Sequence, residues 1–572
     1  MTEYHPSHKR HSPGIFPFGI LCHSLAIQQW LISCCKVRMP LSRKFDAAAF
    51  AVAVALTRFI FRSREPYDLD SVNFALGIAR FDPRVHQPHP PGYFLYVCCG
   101  RLLDCIVHDP NLALVLLSIA ASCGAVVFIY RLALRWSGPL AARFAALLFL
   151  LSPLTWFHGI VALTYGVEAF FSALIGYLCW LVFRGDHRLI PVTGLVLGIS
   201  AGVRPSSVLL LGPLFLLALY RTPIRYKVIG LAVLALAVTA WFLPMLVASG
   251  GHRAYFYALD SLWRLVPSKT TIFNSSPVNS IARAMTIAFI YLLTFGAASL
   301  APVTGLRNIR VRSPEFLFSA VWTGPALCVF TFIYLKFVNS GYVLLLAPPG
   351  CVWLGVLLSQ WYRGSDLPLV AKRSIVATGA IVNIAIFLFS PLYCSYRSVR
   401  RFESQLRTVD GALAKIADPK DTLIVAFDSH FLGFRHAGYS LPQYMTVEYP
   451  EVPQHDGIRV FAMRGRDTSL LPNMRAVASE RFIFYPLPQD GAGYRKYLES
   501  VESKLPPDTI RVVHIDGVDF VTGPVSCLSS LFPKTAPRIF GEQCVSGVSV
   551  LGAPVYNRAH PVRSQEPKRL NF

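Results

Sequence analysis

The first residues that could do chemistry are two carboxylates in the segment 67–96. Asp68 and Asp70 lie two residues apart, in a stretch that carries more ionisable groups than any other connection between apolar runs before residue 393. A carboxylate in a partly desolvated pocket has a raised pKa, which suits a general base acting on a hydroxyl or amine. Asp70 and, secondarily, Asp68 are therefore candidate catalytic residues. The alternative is that Asp70, followed by Ser71, only N-caps a surface helix.

The same segment continues with two histidines and an aromatic residue. His86 and His89 are three residues apart, and Pro90-Pro91-Gly92-Tyr93 follows at once. We interpret His86, His89 and Tyr93 as candidate substrate-binding residues. Two histidines are a weak signal for a metal site, so no cofactor is predicted and a divalent cation stays an open possibility. The proline run has a plainer alternative, a turn with proline at the first position of the next helix.

Three further charged residues lie at the ends of apolar runs. Glu168 begins the run 164–183, where a carboxylate is a functional candidate because burying a charge in a bilayer costs about 2.5–3.5 kcal/mol on insertion scales, a cost that shrinks near the interface. Arg204 and Lys336 lie at comparable ends. An arginine there could bind a phosphate through its fork of donors. The alternative is a side chain that reaches lipid headgroups. Arg84 and Arg101 could extend the same basic rim.

The elements that position these residues are membrane-spanning helices. The chain has 572 residues, of which 54% are hydrophobic and 15% charged, a composition outside the range of soluble globular proteins. Its apolar residues form long runs, close to the roughly 17–25 residues that cross a bilayer core. The segment 15–35 is favoured as an interfacial segment over a further span. Eleven spans are predicted: 45–61, 111–133, 139–157, 164–183, 189–203, 206–220, 227–248, 279–301, 315–335, 341–361 and 371–392.

The distribution of charge gives an orientation. A net charge of +23 could indicate nucleic acid, but the basic residues cluster in alternate connections, whereas the opposite connections hold few. This is the positive-inside pattern, and it excludes nucleic acid as the main partner. It places the N-terminus in the cytoplasm and the segments 62–110, 249–278 and all residues after Tyr393 outside. The cytoplasmic set is Arg131, Arg135, Arg143, Arg184, Arg188, Arg221, Arg225, Lys227, Arg307, Arg310, Arg312, Arg363, Lys372 and Arg373.

After the spans, the chain becomes polar. The stretch Tyr396–Lys420 predicts an amphipathic helix, and four short apolar runs predict strands at Thr422–Phe427, Arg459–Ala462, Arg481–Tyr485 and Ile510–Ile515. These elements predict a small α/β domain. The predicted organisation is a basic tail at 1–44, a transmembrane domain at 45–393 with its first outer loop at 62–110, an α/β domain at 394–556 and a flexible tail at 557–572. A Cys527–Cys544 disulfide is one possibility in an exported domain.

Several of these motifs resemble the GT-C superfamily of membrane glycosyltransferases. The resemblance rests on Asp70-Ser-Val-Asn-Phe-Ala, on His89-Pro-Pro-Gly-Tyr and on Glu168 at the head of the fourth span. It covers roughly 45–393 and is strongest for the protein O-mannosyltransferase-like and lipid A aminoarabinose transferase-like branches. Many members have Asp-Glu at the first motif, and the Ser71 found here weakens the subfamily assignment more than the class. Further similarity lies in Gly198–Pro205, Trp241–Pro244 and Ser340-Gly-Tyr342 leading to Pro348.

The resemblance implies a mechanism. A sugar carried on a polyprenyl phosphate would be transferred, with inversion, to a lipid, glycan or protein acceptor outside the membrane. Asp70 matches the family's first acidic position and Glu168 its second, while Arg204 is a plausible phosphate contact and His89 shapes the loop. The implied partners are the lipid-linked donor, the acceptor and membrane lipids. The shape of the chain favours a multi-pass protein of a bacterial inner membrane.

Two other function classes are compatible with a helical membrane protein. A transporter or lipid flippase usually places its charged or broken-helix site at mid-membrane, often in paired halves, and neither feature is visible in this sequence. The third possibility is an inactive assembly protein that uses its C-terminal domain to bind a partner. The clustering of ionisable groups at one face favours the enzyme over the transporter, whereas the assembly protein stays an open alternative.

Overall fold

The computed structural model describes most of the chain up to residue 530. The described residues are 41–265, 271–274, 276–296, 313–335, 337–391, 394–427, 429–449, 461–470, 479–486, 503 and 509–530. The predictions for the segment 15–35, for Lys336, for the Cys527–Cys544 pairing and for the tail 557–572 fall wholly or partly outside these ranges.

Fifteen helices make up the described part of the bundle and its connections. They are α1 Leu41–Phe61, α2 Leu69–Ala79, α3 Phe94–Val107, α4 Pro110–Ser137, α5 Pro139–Leu151, α6 Pro153–His158, α7 Tyr165–Phe183, α8 Ile190–Val203, α9 Ser206–Leu219, α10 Ile224–Ala248, α11 His252–Leu265, α12 Pro277–Phe295, α13 Pro314–Phe332, α14 Ala347–Gly364 and α15 Leu369–Phe389. A 3₁₀ segment, Phe337–Leu346, leads into α14.

Local chemistry explains where several of these helices begin. Asp109 caps α4 by accepting a hydrogen bond from the Leu112 amide at 3.0 Å, and Pro110 takes the first helical position, where its missing N–H costs nothing. Ser313 caps α13 in the same way. The predicted span 139–157 is not one continuous helix, which corrects the prediction. It breaks at Ser152 because Pro153 cannot donate to the preceding turn.

Among the described residues, seven helices are long and apolar enough to cross a membrane: α4, α7, α10, α12, α13, the helical stretch Asn339–Gly364 and α15. The chain is thus a multi-pass membrane protein. The other predicted spans correspond to α1 and to the shorter α5, α8 and α9, so the count of eleven stays a prediction. Helix α7 is the most buried of the seven, with 78% of its most apolar segment inside the protein. The corresponding share for α15 is only 6%, so α15 faces outward.

The predicted loop 62–110 contains the two helices α2 and α3.

A mixed sheet follows the helical bundle. After helix α16, Tyr396–Ile416, the strands are β1 Thr422–Phe427, β2 Met445–Tyr449, β3 Phe461–Arg464, β4 Asp467–Leu470, β5 Arg481–Phe484, β6 Arg511–Ile515 and β7 Val518–Pro524, with α17 at Phe434–Ser440 between β1 and β2. The strand order is β4-β3-β2-β1-β5-β7-β6, with β1 parallel to β2 and β5. The predicted small α/β unit is therefore present.

We call helices α16 and α17 and strands β1–β7 the C-terminal unit. A buried carboxylate attaches this unit to the end of α1. Glu403 of α16 is fully buried and accepts hydrogen bonds from the Arg64 amide at 2.6 Å and from the Ser63 hydroxyl at 3.3 Å. Arg400, one turn away, bonds the Glu403 carboxylate and also donates to the Arg62 carbonyl at 2.9 Å. Because α16 leads directly into β1, this cluster fixes the sheet relative to the start of the 62–110 segment.

Replacing Glu403 with alanine should destabilise the protein by about 1–3 kcal/mol, because the partly buried Arg400 and the Arg64 amide lose their acceptor. The matched control is Lys415→Ala on the same helix. Lys415 pairs with Asp516 at 2.7 Å, but both side chains are about half exposed or more, and such pairs contribute only about 0–1 kcal/mol. Thermal unfolding midpoints in one detergent compare the two variants. Equal shifts would contradict the anchoring role of Glu403.

Candidate functional site

Asp68 is committed to capping α2. Its carboxylate accepts hydrogen bonds from the Ser71 amide at 2.9 Å and the Ser71 hydroxyl at 3.2 Å. Burial, together with the neighbouring negative charge of Asp70, raises the pKa of Asp68 above its ordinary value. The expected alternative that Asp70 caps this helix is therefore wrong. Asp68 is the cap, and Asp70 lies in the first turn with its carboxylate free of that task.

Asp70 contacts His89 across the loop. The Asp70 Oδ1 atom lies 3.3 Å from His89 Nδ1, and His89 Nε2 lies 3.1 Å from the Tyr93 hydroxyl. The side chain of Asp70 is 28% exposed and that of His89 16%. Burial lowers the pKa of His89, although the nearby Asp70 carboxylate opposes this shift. At neutral pH the ring is therefore uncharged, and it stands beside a carboxylate that remains open to solvent.

Glu168 and Arg204 form a buried ion pair at the same end of the bundle as α2. Glu168 lies in the first turn of α7 and Arg204 follows α8, with Arg204 Nε 3.3 Å from Glu168 Oε2. The two side chains are only 2% and 4% exposed. Arg204 also donates to the Thr164 hydroxyl at 3.1 Å. The predicted second acidic residue and the predicted cation thus contact each other directly.

Two tyrosines enclose the guanidinium of Arg204. Its central carbon lies 4.6 Å from the ring centroid of Tyr165 and 4.2 Å from that of Tyr342, within the range of cation–π attraction. Tyr342 belongs to the 3₁₀ segment Phe337–Leu346, so this cluster joins three separate parts of the chain. The aromatic enclosure fixes the plane of the guanidinium as well as its position.

The loop pair and the buried pair surround one site. Burial raises the pKa of Tyr93 well above its usual value, the positive charge of Arg204 opposes this rise, and the charges of Asp70 and Glu168 both add to it. Asp70, Glu168 and Arg204 are therefore all within electrostatic reach of the Tyr93 hydroxyl. Arg204 also contributes to lowering the pKa of His89.

The remaining predicted residues have other positions. His86 adopts a left-handed backbone conformation, and its ring centroid lies 5.6 Å from that of Phe461 in β3. Arg84 forms a two-point hydrogen bond with Asp82, at 2.8 Å for each contact. Arg101 donates to the Ile78 carbonyl at 2.8 Å and to the Gly77 carbonyl, so its donors close the end of α2 rather than extending a basic rim.

Metal binding was left open by the sequence and stays open. Within the ranges that the structure describes, no group of three or more His, Cys, Asp or Glu side chains is arranged to hold a metal ion. A divalent cation therefore remains a prediction, with His86 and His89 as the residues that suggested it.

Sequence reasoning missed two contributors to the site. Tyr165 precedes Glu168 by three residues and lies on the same face of α7, which is the only local signal that could have identified it. His158, at the end of the short α6, is 1% exposed, and its ring centroid lies 5.1 Å from that of Tyr165. Neither nitrogen of that ring has a hydrogen-bond partner among the described residues. The sequence shows no pattern that would select it.

Comparisons with known proteins bear on this geometry. Residues 83–229 match the sequence model of the protein O-mannosyl-transferase TMEM260 N-terminal domain, a stretch that includes His89, Glu168 and Arg204. No curated protein matches the chain.

Two solved structures match the chain, and the first of them is similar in fold. ArnT from Cupriavidus metallidurans, bound to undecaprenyl phosphate, is 13% identical with a TM-score of 0.53, and the alignment covers 83% of this chain and 97% of ArnT. The Archaeoglobus fulgidus oligosaccharyltransferase, tethered with an acceptor peptide, is 13% identical with a TM-score of 0.44, covering 70% and 63% of the two chains. The predicted resemblance is confirmed at the level of the fold: the protein has a GT-C-like helical membrane bundle followed by a small C-terminal sheet.

Proposed function

We propose that the protein transfers a sugar from a polyprenyl-phosphate-linked donor to an acceptor on the extracytoplasmic side of a cell membrane, with inversion at the sugar. One observation carries this proposal: the partly exposed Asp70, which lies against the uncharged His89, and the buried Glu168–Arg204 pair both act electrostatically on Tyr93. The match to an O-mannosyl-transferase domain and the fold shared with ArnT support it, as analogies of family and fold.

Asp70 is the general base in this proposal. Of the three predicted catalytic carboxylates, Asp68 is used by the α2 cap and Glu168 by Arg204, whereas Asp70 is partly exposed and lies 3.3 Å from His89. It would accept the proton from the acceptor hydroxyl or amine as that atom attacks the anomeric carbon. The bond from the sugar to the carrier phosphate breaks in the same step, and the phosphate takes the electron pair. A single displacement inverts the configuration.

Arg204 supplies positive charge for the departing phosphate. Its contacts with Glu168 and Thr164, and the two tyrosine rings, hold the guanidinium in place without a substrate. A charge that is already oriented stabilises the growing negative charge without reorganising during the reaction, which is the most effective form of electrostatic catalysis. Glu168 is then a positioning residue for Arg204. The sugar, the acceptor and a bacterial inner membrane as the location remain parts of this proposal.

Asp70→Asn should lower turnover by about 10²–10⁴-fold, because a neutral amide cannot accept the acceptor's proton. The matched control is Asp68→Asn, since asparagine is as good an N-cap as aspartate and should preserve α2. Purified variants are mixed with a panel of radiolabelled polyprenyl-phosphate sugars, and donor consumption is followed, including slow hydrolysis to free sugar.

Full activity of a folded Asp70→Asn variant would exclude Asp70 as the base, and so would an equal loss in Asp68→Asn. A folded wild-type protein that consumes no donor of a broad panel would count against the enzyme itself. In that case transport in proteoliposomes becomes the test of the transporter alternative.

The Glu168–Arg204 pair should show strong coupling in a double-mutant cycle. Glu168→Gln or Arg204→Gln alone leaves one buried charge without its partner and should cost about 3–5 kcal/mol of stability. The double variant should cost less than the sum of the two, because it leaves neither charge. Unfolding midpoints in one detergent measure all four proteins. Additive losses would show that the two residues do not stabilise each other.

A further inference from the structure

Arg435 connects the C-terminal unit to the loop that carries His89. It lies in α17, is 3% exposed, and donates from Nη2 to the Val85 carbonyl at 3.0 Å, across 350 positions of sequence. From Nη1 it donates to the Thr468 hydroxyl at 3.0 Å. The guanidinium carbon also lies 5.1 Å from the ring centroid of Phe461. The guanidinium of Arg435 is therefore bonded to the C-terminal unit through Nη1 and to the loop through Nη2.

The Thr468 hydroxyl accepts a second hydrogen bond, and this one comes from the loop. Gln87, which is fully buried, donates from Nε2 to Thr468 Oγ1 at 2.7 Å. Thr468 lies in β4 and is 1% exposed. Val85 and Gln87 are thus both held by the C-terminal unit, on either side of His86. The second of them is two residues from His89.

The other side of the loop is held by the helical bundle and by the loop itself. Asp82 and Gln87 exchange backbone hydrogen bonds of 2.6 and 3.0 Å, and the Tyr255 hydroxyl of α11 donates to the Pro91 carbonyl at 3.1 Å. Neither set of contacts fixes the Val85 carbonyl or the Gln87 side chain. The contacts of Arg435 and Thr468 therefore support parts of the loop that these other contacts do not reach.

Arg435 also acts on His89 through its charge. The groups that affect His89 are Asp70, Arg204 and Arg435, with burial as the largest influence. Burial lowers the pKa of His89, Asp70 raises it, and the two arginines lower it. Arg435 is thus close enough to disfavour a charged imidazole beside Asp70.

We propose that Arg435 is a positioning residue for the site, holding the 85–89 segment through the Val85 carbonyl and the Thr468 hydroxyl so that His89 stays against Asp70. The C-terminal unit then contributes to the active site through this contact. The effect on turnover rests on the proposed function, whereas the effect on the loop does not.

The test compares Arg435→Gln, Arg435→Lys and Thr468→Val with Arg466→Gln as the matched control. Arg466 lies in the same unit, is exposed, and contacts the ring of Tyr439. Thr468→Val removes the shared hydroxyl and keeps the side-chain volume, so it serves if Arg435→Gln folds poorly. Hydrogen–deuterium exchange of the 83–93 peptide is measured on the full-length protein in detergent, with the β1 peptide 422–427 as the internal reference.

We expect faster exchange in 83–93 for Arg435→Gln, Arg435→Lys and Thr468→Val, with exchange in 422–427 unchanged. In the donor assay, kcat should fall by about 10- to 100-fold, the size of effect that a small misplacement of a site causes, while KM for the donor changes little. In Arg435→Gln the acid limb of the pH profile should move to higher pH, because loss of a positive charge lets His89 protonate more readily. Arg435→Lys keeps the charge and should leave that limb in place.

Wild-type exchange in 83–93 for both Arg435→Gln and Thr468→Val would overturn the proposal. It would also be overturned by faster exchange spread equally over 422–427, which indicates a general structural role. If the wild-type protein consumes no donor, the proposed function fails by itself, and the exchange of 83–93 still decides whether Arg435 holds this loop.

Discussion

The site depends on the burial of Glu168 and Arg204 as a pair. Two charges that are 2% and 4% exposed at the end of a helical bundle would each be very costly alone. The pair is tolerable because Thr164 takes a further donor of Arg204 and two tyrosine rings cover its faces. These contacts tie the start of α7, the end of α8 and the 3₁₀ segment before α14 into one structure. The fixed charge of Arg204 then acts on Tyr93 and His89 of the loop.

The three carboxylates near this charge have different roles because their surroundings differ. Asp68 gives its oxygens to the first turn of α2, and Glu168 gives its own to Arg204. Asp70 is two residues beyond the cap, and its carboxylate meets His89 of the loop. A general base must be accessible to its substrate, whereas an N-cap side chain must have its hydrogen bonds taken up by the helix. The short sequence Asp68-Leu69-Asp70 provides one carboxylate of each kind. Neighbouring acids therefore cannot be assigned by residue type alone.

The sequence predicted what depends on local pattern. Apolar runs located the helices, and the amphipathic pattern of Tyr396–Lys420 agrees with α16 at Tyr396–Ile416. Pro153, which breaks the span 139–157, was visible but was outweighed by the apolar residues around it. Strands β2, β4 and β7 were missed because a strand depends on its neighbouring strands for hydrogen bonds, and those neighbours are not visible in a local pattern.

Within the site, the sequence located Asp70, His89, Glu168 and Arg204 but not the contacts that organise them. The choice between Asp68 and Asp70 as the cap is a difference of two positions in the chain, which composition does not determine. Tyr342 was noted only as part of a motif, and its place against Arg204 follows from the packing of the 3₁₀ segment on α7. The contact of Arg435 with Val85 joins residues 350 positions apart. No local pattern encodes such a pair.

The C-terminal unit is part of the scaffold that orients Asp70. The first turn of α2 leaves backbone N–H groups without helical acceptors, and two of these groups have partners outside the helix backbone. Asp68 bonds the Ser71 amide, and the His430 carbonyl, from the loop between β1 and α17, accepts from the Leu69 amide at 3.0 Å. Glu403 holds the chain just before α2 through the Arg64 amide. The C-terminal unit therefore contacts this region both before α2 and at its first residue. Because Asp70 is the second residue of that helix, its direction is set jointly by the bundle and by the sheet.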